Sequence, residues 1–146
     1  MKLFKTFFLL FLISIIAVSC ERESYITSGV DIEKELSKVS DSLVVKIKYS
    51  EEVKLSKNLS LRFDDLLEDS RCPINAMCIW PGRAKILLFI KDGDGGKFME
   101  LNTAAGINHD AYDKYDFRLQ NLSPYPDTTI PFNKKAYLTE IVIRRL

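Results

Sequence analysis

Ala84-Lys85-Ile86-Leu87-Leu88-Phe89-Ile90 runs into the turn Asp92-Gly93-Asp94-Gly95-Gly96 and returns as Lys97 to Asn102. A short apolar run closed by glycine and aspartate reads as a strand, because these residues accept the backbone angles of a tight hairpin turn. Ala84–Ile90 is the most apolar stretch after the N-terminus, which places it centrally in a sheet. Asp92-Gly93-Asp94-Gly95 has a faint likeness to the start of a calcium loop. It lacks the third ligand position and the distal glutamate, so turn chemistry explains it better.

The same period of two continues on both sides. Leu43, Val45, Ile47 and Tyr49 alternate with Val44, Lys46 and Lys48 from Ser42 onward. Glu52–Leu55 reads as a short strand and Lys57-Asn58 as a turn. Leu59, Leu61 and Phe63 alternate with Ser60 and Arg62, after which Asp64-Asp65 either breaks the strand or bulges it toward Leu66 and Leu67. Thr103–Asp113 shows no period and reads as a loop. Tyr115, Phe117 and Leu119 define another strand, stopped at Ser123-Pro124-Tyr125-Pro126, and Lys135–Arg144 the last. Tyr115 and Tyr137 fall on apolar faces and are expected in the core, with Tyr125 partly exposed. About six to eight short strands with almost no helix predict an all-β fold, an antiparallel β-sandwich or a partly open β-barrel. No amphipathic helices lie between the strands as a parallel α/β sheet requires.

The chain has 146 residues, about one domain. Residues 1–19 hold fourteen apolar residues and two lysines, leaving 19 basic against 20 acidic residues in the remainder. That balance lacks the basic field of non-specific nucleic-acid binding, so no nucleic-acid partner is expected. Lys2 and Lys5 precede an apolar core from Phe7 to Val18, the form of a secretory signal peptide. The segment ends Ile16-Ala17-Val18-Ser19-Cys20 and resembles a bacterial lipobox, with Ala17 where leucine is usual. The resemblance implies a lipoprotein signal peptide over 1–19, a covalent lipid on Cys20, and a membrane-anchored mature chain. By the same resemblance, Glu21 in place of aspartate favours the outer membrane, on its periplasmic or surface-exposed side. Residues 20–41 read as a lipid-anchored tether, with a short helix from Asp31 marked by Ile32, Leu36 and Val39. The β domain is expected over 42–146.

With Cys20 lipidated, Cys72 and Cys78 remain, and an even remainder in an exported chain suggests a disulfide. Closing seven residues stabilises the fold by about 2.4 kcal/mol in the chain-entropy picture. Zinc would want about four ligands, and two cysteines with the distant His109 do not supply them; a redox pair is usually spaced Cys-x-x-Cys. No metal and no cofactor beyond the lipid is expected.

Residues 68–82 read Glu-Asp-Ser-Arg-Cys-Pro-Ile-Asn-Ala-Met-Cys-Ile-Trp-Pro-Gly. The core, Asp-Ser-Arg-Cys-Pro, five residues, then Cys-Ile-Trp-Pro-Gly, resembles a segment of small uncharacterised envelope lipoproteins of the Bacteroidota type, with Pro81 where alanine is frequent. The resemblance implies an all-β lipoprotein with a disulfide-closed loop and brings no activity with it. Two readings of the loop follow from the residues. In one, the disulfide pins a crossover, Asp69 and Arg71 pair, and Trp80 covers one end of the core. In the other, a rigid ring presents Ile74 and Met77 to a protein partner, at a low ordering cost. Arg71, Ile74, Met77 and Trp80 are therefore the candidate interaction residues.

No catalytic set emerges. His109 is the chain's one histidine, and there is no Gly-x-Ser-x-Gly elbow. Asp110, Asp113 and the other carboxylates could serve a small hydrolase only if they converge in space. The expectation is a non-enzymatic binding or interaction domain. A protease inhibitor presenting the Cys72–Cys78 loop with Arg71 beside it is the alternative.

Overall fold

The computed structural model describes residues 31–36, 42–104, 106 and 108–146. The expected signal peptide, Cys20, Val39 and most of the expected tether lie outside the described residues. Eight strands follow a short helix. They are β1 (Ser42–Lys48), β2 (Glu52–Lys54), β3 (Leu59–Asp69), β4 (Ala84–Asp92), β5 (Gly95–Asn102), β6 (His109–Tyr112), β7 (Tyr115–Ser123) and β8 (Leu138–Arg145). They form two antiparallel four-stranded sheets, ordered β1-β8-β7-β6 and β2-β3-β4-β5. The fold is a β-sandwich, and neither sheet closes into a barrel.

The alternation in the sequence is what fills the core. Leu43, Val45 and Ile47 of β1 meet Ile141 and Ile143 of β8 and Phe117 of β7 in one inner face. Leu61 and Phe63 of β3, Ile86, Leu88 and Ile90 of β4, and Met99 and Leu101 of β5 form the other. Each fully buried aliphatic or phenyl side chain contributes about 1.5–3 kcal/mol. Asp92 pairs with Gly95, so Gly93 and Asp94 make a two-residue hairpin turn; Gly93 has φ +55°, which glycine adopts without strain.

The structure settles or corrects the sequence reading in four places. Of the two readings of Asp64-Asp65 the bulge holds: β3 runs through to Asp69, with register shifts between Phe63 and Asp65 and between Leu66 and Glu68. Each shift absorbs an extra residue and lets the strand continue. Within the expected loop, His109–Tyr112 forms β6. It is too short and polar to show a period, and is held by pairing with β7 through the Tyr112–Tyr115 turn. Lys134–Ala136 is a 3-10 turn rather than strand, because the Asn133 side chain accepts a hydrogen bond from the Lys135 backbone at 3.0 Å.

The fourth concerns the helix α1 (Ile32–Leu36), expected in the tether. Ile32 is 1% exposed within the core, and its backbone N–H donates to the Leu55 carbonyl at 2.7 Å. The folded domain therefore begins before residue 42. No helix among the described residues is long and apolar enough to cross a membrane.

Candidate functional site

The β3–β4 and β7–β8 connections, residues 70–83 and 124–137, lie together at one end of the sandwich. At the base of the first, the ladder continues past the strands: Ser70 N–H donates to the Arg83 carbonyl at 2.8 Å and Cys72 N–H to the Pro81 carbonyl at 2.9 Å. Gly82 holds this base, with φ +66°. A β-carbon there would stand 1.8 Å from the Ser70 carbonyl oxygen, so only glycine lets the two arms approach.

Beyond the base, Cys72 and Cys78 are joined, with Cα atoms 5.9 Å apart. The ring leans on the second loop. Ile74 N–H donates to the Pro126 carbonyl at 3.0 Å, Asn75 Nδ2 to Asp127 Oδ1 at 2.8 Å, and Thr128 N–H to Asn75 Oδ1 at 3.1 Å.

A buried polar cluster ties the loops to the scaffold. Arg71 Nε donates to Asp69 Oδ1 at 2.8 Å and its Nη2 to Asp69 Oδ2 at 2.7 Å. The same guanidinium donates to the carbonyls of Leu122 at 2.7 Å and Pro124 at 2.9 Å, and lies 4.7 Å from the centre of the Tyr125 ring. Tyr137 Oη donates to Asp69 Oδ2 at 2.7 Å. Burial works to raise the Asp69 carboxyl, but the Arg71 and Tyr137 hydrogen bonds outweigh it and hold the group below its ordinary value. Burial also opposes the charge on Arg71, and Asp69 more than restores it. Burial, then the bond to Asp69, pushes the Tyr137 hydroxyl up to about 12.

This cluster places the candidate residues. The expected Asp69–Arg71 pair is present. Arg71 itself is 7% exposed, so it supports the loop from inside rather than offering a contact. Trp80 does not cover the core: it is 78% exposed, because Leu122, Tyr137 and the Asp69–Arg71 pair already close that end. Ile74, Met77 and Ile79 are 68%, 102% and 93% exposed. Tyr125 is partly exposed, and Tyr115 and Tyr137 are buried, as their positions predicted.

Sequence reading missed Ile79 and, on the second loop, Ile130 and Phe132. Tyr125, Ile130 and Phe132 stand exposed there beside a shallow recess of about 180 Å³ whose lining includes Tyr137 and Ala136. The signal was available in the prolines. All five of the chain (Pro73, Pro81, Pro124, Pro126 and Pro131) fall in these two loops, where their fixed φ stiffens the backbone.

The acids considered for hydrolysis lie elsewhere. Asp110 pairs with Lys97 at 2.9 Å, and His109 Nδ1 is 2.7 Å from Asp116 Oδ1 on the β6–β7 ladder. Asp113 lines a different recess, of about 310 Å³, with Asp31, Asp92 and Lys57. No group of three potential metal-binding side chains occurs among the described residues. Comparison with protein-family models, with curated proteins and with solved structures gives no match.

Proposed function

We propose that this chain is a lipid-anchored envelope protein whose β-sandwich is a non-enzymatic binding domain, with the paired loops as its contact surface. The carrying observation is the run of exposed apolar side chains, Ile74, Met77, Ile79 and Trp80, on loops tied down by a disulfide, a buried ion pair and five prolines. Exposed apolar clusters mark contact surfaces, and rigid presentation lowers the entropic cost of using them. The placement of α1, the first described element, is compatible with the same reading. Helix α1 lies against the β2–β3 turn, whereas the paired loops lie at the far end of β3. Its eleven residues, shortened by two bulges, separate the two poles by about 30 Å. An anchor at Cys20 would thus join the domain at the pole opposite its contact surface.

The protease-inhibitor reading loses Arg71 as its basic contact, since that side chain is committed to Asp69, Leu122 and Pro124. The test is a photo-crosslinking residue introduced at Met77 or, as a control at the opposite pole, at Lys91, in the native envelope. Adducts at 77 and not at 91, to lipid or protein, support the contact surface. No adduct at 77, or equal labelling at both positions, rejects it.

A further inference from the structure

The tip of the contact surface has a chemistry of its own. No residue from Cys72 to Gly82 is charged. Met77, Ile79 and Trp80 stand out almost free of the domain as separate knobs. A protein partner must supply a matching hollow for each knob, whereas the boundary between headgroups and acyl chains adapts to any shape and favours tryptophan.

The two loops also carry basic side chains. Residues 70–83 and 124–137 contain Arg71, Arg83, Lys134 and Lys135 against the acid Asp127, with Asp69, Glu68 and Asp65 of β3 facing three of the cations. Arg71 points inward to Asp69, and Asp127 is occupied by Asn75 and Thr129. Arg83 and Lys134 rest on part-exposed ion pairs with Glu68 and Asp65, and Lys135 is exposed. Part-exposed pairs are weak and exchange readily for headgroup phosphates.

We propose that the paired-loop pole is a membrane-docking surface for an anionic bilayer. Met77, Ile79 and Trp80 enter the interface, and Arg83, Lys134 and Lys135 lie at the level of the phosphates. This rests on the reading of the pole as the contact surface and names its partner as lipid. It is compatible with an anchor at Cys20, since the eleven residues 20–30 reach at most about 36–40 Å. That span covers the distance between the poles, so lipid and loops can enter one leaflet.

Trp80 is the chain's one tryptophan, so tryptophan emission, excited apart from the six tyrosines, reports on the tip alone. The experiment uses the unacylated chain from residue 20 to 146 with vesicles of phosphatidylcholine, with and without 30% phosphatidylglycerol. The expected result is a blue-shifted Trp80 emission, quenching by brominated acyl chains, and co-flotation with the anionic vesicles. Ile79→Ser should weaken partitioning about tenfold and Trp80→Ala should abolish co-flotation, with circular dichroism unchanged. Lys134→Glu with Lys135→Glu should remove the preference for phosphatidylglycerol. Unshifted emission with no flotation on either vesicle overturns the proposal. So does a blue shift that grows with protein concentration without lipid, which would indicate a second copy. Protein adducts at Met77 in the native envelope without vesicle binding would overturn the lipid assignment and leave the contact surface standing. Neither adducts nor vesicle binding would end both.

Discussion

Arg71 grips both carboxylate oxygens of Asp69, at 2.8 and 2.7 Å, and with the same guanidinium reaches the carbonyl of Leu122 in the other sheet and that of Pro124 in the second loop. One buried ion pair thus fixes two loops to each other and to the scaffold. The neutral amide of Asp69→Asn would leave Arg71 buried without its counter-charge. The expected cost is about 3–5 kcal/mol, read as a lower urea midpoint with unchanged slope. A loss below about 1 kcal/mol would mean that the pair is dispensable.

Two members of this cluster give opposite pH limits. Asp69 is held below its ordinary value, so its contribution is present above the unfolded pKa near 4 and is lost as pH falls through the folded value. Tyr137 is pushed up to about 12. Its contribution is complete below the unfolded value near 10 and is lost as pH rises to the folded one, on the order of 2 kcal/mol. Denaturation at pH 7, 10 and 12 should show that loss, and Tyr137→Phe should flatten it. An equal alkaline decline in the variant would contradict the assignment.

Gly82 is the tightest point of the ring's base. Gly82→Ala meets both a positive φ and the Ser70 carbonyl, so it should destabilise by more than about 1 kcal/mol. It should also disorder the ring before the sheets. Thermal unfolding, together with Trp80 anisotropy, measures both effects. A variant as stable as the parent would show that the two arms can part freely.

Ile32 is expected to behave as a core residue. Ile32→Ala should cost about 2–5 kcal/mol, and a chain starting at residue 42 should melt below one starting at residue 31. Equal melting temperatures would return α1 to the tether.

Strand periodicity carried most of the fold, because a half-buried antiparallel strand imprints its two faces directly on the sequence. Val45, Ile47, Ile86, Leu88 and Ile141 show it. It failed where the pairing partner, not the side chains, makes the strand, as at His109–Tyr112. It left two courses open at β3, where two bulges shift the face that each residue occupies. The candidate site was half legible. The Cys72–Cys78 ring and the Asp69–Arg71 pair follow from residues close in the chain. The reach of Arg71 to Leu122 and Pro124, and the placement of Tyr125, Ile130 and Phe132 beside the ring, depend on contacts about fifty residues apart. Trp80 stood in both readings of the loop, and its exposure excludes the one that put it over the core, where Tyr137 and the Arg71 cluster sit.

Intact mass spectrometry of the protein from native membranes, before and after reduction and alkylation, decides whether Cys20 anchors the chain and whether Cys72 and Cys78 close the ring. A lipid-anchored protein gives a mature N-terminus at Cys20 carrying acyl mass, and two alkylatable thiols that appear only after reduction. An unacylated product, or free thiols at Cys72 and Cys78 without reduction, would contradict the anchor or the ring, respectively.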